Sequence, residues 1–302
     1  MKPIPVLAIV GMLSFPVTSR ATLFAYEGFD YPIGADGLAN QNGGTGFTTT
    51  WDDVANDGEI LAPALSYTDG GGRTLITSGN MARMDGNTVG TSVNFRTIDA
   101  AQYSAATVLY VSMLGQKIPS GLGTPLDSRA VNMAVFAGGA ERVSIGHGTN
   151  VPAGGFGGEY RWGYFTGGNG ANGQVGDTTF AHYSSVNIQS RAFSVLKIEL
   201  NANGINERMT FYVNPLLDAE GSNTPSAIVI DTRDIALVMS DLNRLRPFGG
   251  NQNANGAGIM DLDELRVGST WADVTPFTGI PEPCSAALSG LAGLMLLRRR
   301  RK

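Results

Sequence analysis

Between residues 22 and 279 the apolar positions fall in short runs, separated by Gly, Asn and Asp, and no stretch sustains a strong helical period. The clearest runs are 73–77, 91–97, 107–114, 129–137, 142–146, 193–200, 208–213 and 227–231. Residues 107–114 are apolar at consecutive positions, the pattern of a central strand covered on both faces. Residues 193–200 alternate instead: Leu196, Ile198 and Leu200 share one face, Lys197 and Glu199 the other. Asn203-Gly204 supplies a turn pair before the next run. Residues 234–245 carry a charge spacing that fits one short helix. Many strands with turn signals and little helix predict an all-β, two-sheet jelly-roll β-sandwich. No shift in composition marks a linker, so 22–279 reads as one domain. Thr50-Trp51-Asp52-Asp53-Val54 is echoed by Thr270-Trp271-Ala272-Asp273-Val274. Five residues make no repeat architecture; they predict two strand-to-turn corners, each plugged by an aromatic ring.

The two ends follow a different pattern. Residues 1–21 have a basic start at Lys2, an apolar stretch over 4–15, and Ser19-Arg20-Ala21 before a cut after Ala21. This is the plan of a secretory signal peptide, which signal peptidase removes. At the other end, 280–302, Ile280-Pro281-Glu282-Pro283 precede an apolar stretch over 284–297 and a basic stop of Arg298, Arg299, Arg300, Arg301 and Lys302. The prolines favour an extended approach that a processing enzyme can grip. As a helix, 285–297 would span roughly 20 Å, short of the roughly 30 Å hydrocarbon core. Adjoining residues and snorkelling arginines offset part of the difference, and the basic cluster stays cytoplasmic.

This three-part tail resembles the PEP-CTERM sorting signal of exported proteins in Gram-negative bacteria, with Cys284 where serine is more usual. The resemblance covers about the last 23 residues. It implies transient anchoring in the inner membrane and cleavage by an exosortase-type membrane protease. The body would then reach the cell surface or extracellular matrix.

Both ends also change the charge. Of 21 basic and 26 acidic residues, the ends hold seven basic and one acidic, so the body carries 14 against 25, a net of −11. Such a body repels nucleic acid and anionic polymer and tolerates neutral glycans or divalent cations. One cysteine excludes an intramolecular disulfide, and two histidines make a multi-histidine metal centre improbable.

A second similarity lies at the edges of the body. Tyr26-Glu27-Gly28-Phe29-Asp30-Tyr31-Pro32 leads into residues 38–47, and the close runs Asp261-Leu262-Asp263-Glu264-Leu265-Arg266-Val267-Gly268, then Ser269 to the second tryptophan corner. Together they resemble concanavalin A-like jelly rolls, and the close resembles the last strand of laminin G-like domains. That superfold hosts lectins, glucanases and adhesion modules, so it names no function.

Three groups carry candidate chemistry. Paired carboxylates are what a glycosidase needs, and jelly-roll glucanases place three acids on alternate strand positions. Here strict alternation points Glu264 away from Asp263 and puts Leu265 where the third acid belongs. Asp261 and Asp263 remain as calcium candidates. The alternative is a structural Asp263, sharing a face with Leu265 and Val267 and tied to backbone amides. Second, Tyr160, Trp162 and Tyr164 align on one face of a strand beside Gly-rich segments. They form either part of the core, the commoner fate of such rings, or an exposed platform for stacking sugars. Third, His147 sits between glycines, with no nucleophile pattern and no Gly-x-Ser-x-Gly elbow to match it.

The sequence therefore reads as an exported, non-catalytic surface or matrix protein with no resident cofactor, whose body binds exopolysaccharide or another glycan. The alternatives are a secreted carbohydrate-active enzyme and a structural matrix protein without a ligand.

Overall fold

The computed structural model describes residues 22–35, 37–54, 56–86, 90–121, 129–148, 161–166, 181–201, 207–230, 238–252 and 256–278. Both terminal segments and Tyr160 lie outside these. The strands, in chain order, begin with β1 (Leu23–Glu27), β2 (Glu59–Leu61), β3 (Thr74–Leu75), β4 (Met81–Asp85), β5 (Ser92–Val93) and β6 (Arg96–Thr97). The long central strands follow: β7 (Val108–Ile118), β8 (Val131–Ala137), β9 (Ala140–His147), β10 (Arg161–Thr166), β11 (Ala181–Asn187), β12 (Ala192–Glu199) and β13 (Arg208–Val213). The chain closes with β14 (Ala227–Ile230), β15 (Leu242–Gly249), β16 (Ile259–Gly268), the single-turn helix α1 (Trp271–Val274) and β17 (Phe277–Thr278).

Among the described residues one sheet has eight strands in the order β14-β13-β12-β7-β16-β4-β2, with β1 also paired to β16. A second has seven, β11-β10-β9-β8-β15-β5, with β6 also paired to β15. The chain leaves the first sheet after β7, builds four strands of the second, returns for β12 to β14, crosses for β15 and returns for β16. The result is an all-β antiparallel sandwich with jelly-roll-like crossovers.

Period-two alternation fills the space between the sheets. Leu109, Val111 and Met113 of β7, Leu196 and Ile198 of β12, and Met209 and Phe211 of β13 face Val131, Met133 and Val135 of β8 and Val143 and Ile145 of β9. The opposite face of β7 is also covered. Tyr110 and Leu114 join Phe193, Val195, Tyr212, Leu217, Trp271 and Val274 in a second apolar layer outside the eight-stranded sheet. This double covering is why 107–114 is apolar throughout. Both tryptophan corners are plugs: Trp51 is buried with its indole N–H on Glu27 Oε2 (3.0 Å), and Trp271 donates to the Leu217 carbonyl (3.2 Å). A Thr270–Asp273 capping box starts α1.

Outside β16, the sequence expectation differs from the structure in three places. The helix expected over 234–245 is absent in its described part: residues 239–241 form one 3-10 turn and Leu242 opens β15. A register shift between Leu242 and Arg244 lets Leu242 and Leu245 both reach the core although they are three apart, and this mimics a helical period. Pro247 then bars a helix from continuing. The run 91–97 splits into β5 and β6 because Asn94 and Phe95 are drawn to the 52–58 loop: Gly58 N–H bonds Asn94 Oδ1 (2.9 Å), and Phe95 N–H bonds Asp52 Oδ1 (2.5 Å). The run 73–77 shortens to the two residues of β3.

Candidate functional site

The closing strand β16 carries the acids that drew attention in the sequence. Asp261 is gripped by Arg83, with Nε at 2.6 Å and Nη2 at 2.9 Å from its two oxygens. Asp263 is fully buried and accepts from Leu65 N–H (2.9 Å) and Glu264 N–H (2.8 Å). Burial, and then the charge of Glu264, push its pKa up to about 9. Glu264 has φ +55° and sits in a register shift between Asp263 and Arg266. This bulge overturns the strict alternation read from the sequence: Leu262 and Leu265 both enter the core, so Asp263 does not share a face with Leu265 and Val267. The tie to backbone amides is as expected. The Glu264 carboxylate accepts from Ser78 N–H (2.7 Å) and Tyr26 O–H (3.1 Å) and pairs with Arg266. A hard cation needs ionised oxygens with open lone pairs. Arg83 holds both oxygens of Asp261 and two backbone amides hold those of Asp263, so each carboxylate of this pair already has structural partners. Among the described residues no three His, Cys, Asp or Glu side chains are grouped to hold a metal ion.

The aromatic stripe lies in β10. Trp162 and Tyr164 are 0% and 1% exposed, inside the core between the sheets. Trp162 donates to the Ser190 carbonyl (2.9 Å) and lies over Gly115, where a Cβ would come within 2.8 Å of its ring. Neither ring is presented to a ligand. His147 is also buried, and burial together with Lys117 pushes its pKa down to about 3, so it is neutral at physiological pH.

What alternation turns away from the core is the outer face of β12 and β13, half-buried at Lys197, Glu199 and Arg208 and buried at Thr210 and Tyr212. Lys197 and Glu199 alternate with core Leu196 and Ile198, and Arg208, Thr210 and Tyr212 with core Met209 and Phe211. With Glu220 and Pro225 they line an open depression of about 420 Å³. Glu220 is its hub: it accepts from Tyr110 O–H (2.7 Å) and Tyr212 O–H (2.9 Å) and pairs with Lys197 (3.2 Å). Lys197 also approaches Glu199 (3.7 Å), and Arg208 approaches Glu199 (3.9 Å). Burial alone would raise the Glu220 pKa; the tyrosine and lysine donors outweigh it and hold the carboxyl below its ordinary value. Burial and the Glu220 contact raise both phenols, which therefore stay protonated donors. The sequence placed Lys197 and Glu199 on this face, but Glu220 arrives from a loop that no periodicity marks.

No protein-family model matches the chain, and no characterised protein matches it by sequence. Several solved structures are similar in fold. An endo-1,3-β-glucanase from Streptomyces sioyaensis is 14% identical, with 89% of this chain and 99% of that one covered and a TM-score of 0.43. A carbohydrate esterase of the Shiga toxin-encoding bacteriophage phi24B is 10% identical over 83% of this chain and 99% of that one, TM-score 0.43. A botulinum neurotoxin type C structure, described as interacting with two ganglioside molecules, is 9% identical over 77% of this chain and 47% of that one, TM-score 0.39. Similarity at this level carries neither activity nor ligand to the present chain.

Proposed function

We propose that the chain is an exported surface or matrix protein, sorted through its C-terminal tail, whose jelly-roll body binds a neutral glycan without cleaving it. The supporting observation is the state of the carboxylates. Acid-catalysed glycoside cleavage needs one carboxyl held protonated beside a second, in a cleft that the sugar can enter. In the depression Glu220 is held ionised by three donors. The protonated carboxyl, Asp263, is buried and enclosed by backbone. The depression thus offers fixed donors and acceptors, suited to sugar hydroxyls, with Glu220 held as an acceptor by three donors.

The test is affinity electrophoresis of the full chain in neutral β-glucan gels, with a reducing-end assay on the same samples. Retardation without new reducing ends is expected. Glu220→Gln, which weakens the Lys197 pair and loosens the hub, should reduce retardation at least fivefold. Release of reducing ends that Glu220→Gln abolishes would establish an enzyme instead, and no retardation on any neutral glucan would favour a structural matrix protein.

A further inference from the structure

The outer face of the seven-stranded sheet carries a feature that neutral-glycan binding does not use. Arg244 and Arg246 of β15 alternate with core Leu245 and so project from the sandwich on the side away from the core. Each guanidinium lies beside two phenyl rings. Arg244 stands 4.0 Å from the Phe95 centroid and 5.4 Å from that of Phe136. Arg246 stands 5.0 Å from Phe136 and 4.6 Å from Phe248. Phe95 and Phe136 meet edge to face at 5.3 Å, which fixes the ladder's spacing.

The charges on this ladder are unevenly matched. Arg246 pairs with Glu141 (2.9 Å) and donates to Asn132 Oδ1 (3.0 Å). Arg244 has no carboxylate within ion-pair distance among the described residues; Asp52 acts on it electrostatically, with one oxygen already taken by Phe95 N–H. Three donors on this face, Arg244 Nε, Arg246 Nε and Asn132 Nδ2, are buried with no hydrogen-bond partner among the described residues. A buried donor without an acceptor is destabilising, because the water it gave up is not replaced. Two arginines are retained on an otherwise acidic body, beside half-buried Phe95 and Phe248. A planar anion is the partner that satisfies such a fork bidentately, and the phenyl rings suit the apolar face of a ring attached to it.

We propose that this face binds a carboxylate-bearing sugar, a uronic acid unit, with the carboxylate on the Arg244 guanidinium and the sugar ring against the neighbouring phenyl groups. The site lies on the sheet opposite the Glu220 depression and stands independently of glycan binding there. The body's net negative charge restricts such binding to a local contact and opposes adsorption along a whole polyanion.

The experiment is isothermal titration of the full chain with trigalacturonic acid and with its methyl ester, which keeps the rings and removes the charge. Saturable binding of the acid is expected, with the ester at least tenfold weaker. Arg244→Gln should lower affinity for the acid at least tenfold with an unchanged thermal midpoint. Arg244→Lys, which keeps the charge and loses the planar fork, should fall between the two and decides the matter if Arg244→Gln does not fold. Equal binding of acid and ester, wild-type affinity in the lysine variant, or no saturable binding of the acid would overturn the proposal. Tighter binding of a sulfated glucose trimer than of the uronate would overturn the assignment to a carboxylate.

Discussion

Two buried side chains tie the stability of the fold to pH in opposite senses. Asp263 moves from an ordinary aspartate value up to about 9 on folding. Between about pH 4 and 9 the folded chain holds a proton that the unfolded chain has released, so this group's contribution falls as pH rises. Glu264 is also raised, by burial first, and acts in the same direction. His147 moves the other way, down to about 3. Between about pH 3 and 6.5 the unfolded chain binds a proton that the folded one refuses, so stability falls as pH drops through that window. The two effects oppose each other from about pH 4 to 6.5, and above that window the acids act alone. Urea denaturation should therefore show stability declining from pH 6.5 to 9, with Asp263 contributing up to about 1.4 kcal/mol per pH unit. Asp263→Asn should remove that share of the slope; an unaltered slope would show that Asp263 is ionised in the fold. At Trp162 the residue scale is pure packing: Trp162→Ala should cost about 3–5 kcal/mol, lowering the thermal midpoint, while any binding in the depression survives at temperatures where the variant stays folded.

At the scale of elements, the N-terminal strand is held by one buried polar cluster. Glu27 of β1 accepts from Phe29 N–H (2.9 Å), Tyr31 O–H (2.6 Å) and Trp51 Nε1 (3.0 Å) and pairs with buried Arg96 of β6. Arg96 also donates to the carbonyls of Gly43 (2.7 Å) and Thr49 (2.9 Å), joining the 43–51 loop to both sheets. Arg96→Met keeps most of the volume but strands the Glu27 charge, at a cost of about 3–5 kcal/mol. Adding Glu27→Gln should recover part of that, and strict additivity in the denaturation cycle would show that the two side chains act independently. Trp51 was legible as a plug, but the polar links of this cluster were not, because its members are separated by up to 69 residues and share no periodicity. The strands were legible where period two ran unbroken, as in β12 and β13, or where both faces were apolar, as in β7. They were misread where a bulge inserted a residue: in β15 it imitated a helix, and in β16 it moved Leu265 off the face of Asp263. Backbone irregularities reassign faces without changing composition, so the candidate acids could be named from the sequence while their surroundings could not.

On the scale of the whole molecule, the sandwich and the tail pose separate problems. The body closes on itself: β1 pairs with β16, and β17 pairs with β3, so the first and last described strands are stitched into the fold. Cleavage just beyond β17 would leave those pairings untouched. Loss of both ends would also take the net charge from −5 for the full chain to −11 for the body, a shift visible as a more acidic isoelectric position. If the tail is a sorting signal, the surface form should end in or near Pro281-Glu282-Pro283. Mass spectrometry of surface material should then find no peptide from 298–302, and Glu282→Ala should retain the uncut chain at the inner membrane. An intact basic terminus on surface protein would make the tail a plain anchor. Normal release of the Glu282→Ala chain would place recognition outside the Pro-Glu-Pro segment. Because the first and last described strands pair within the body, the retained chain should keep the thermal midpoint of the released body, so that a sorting defect can be told from a folding defect by one melt of each.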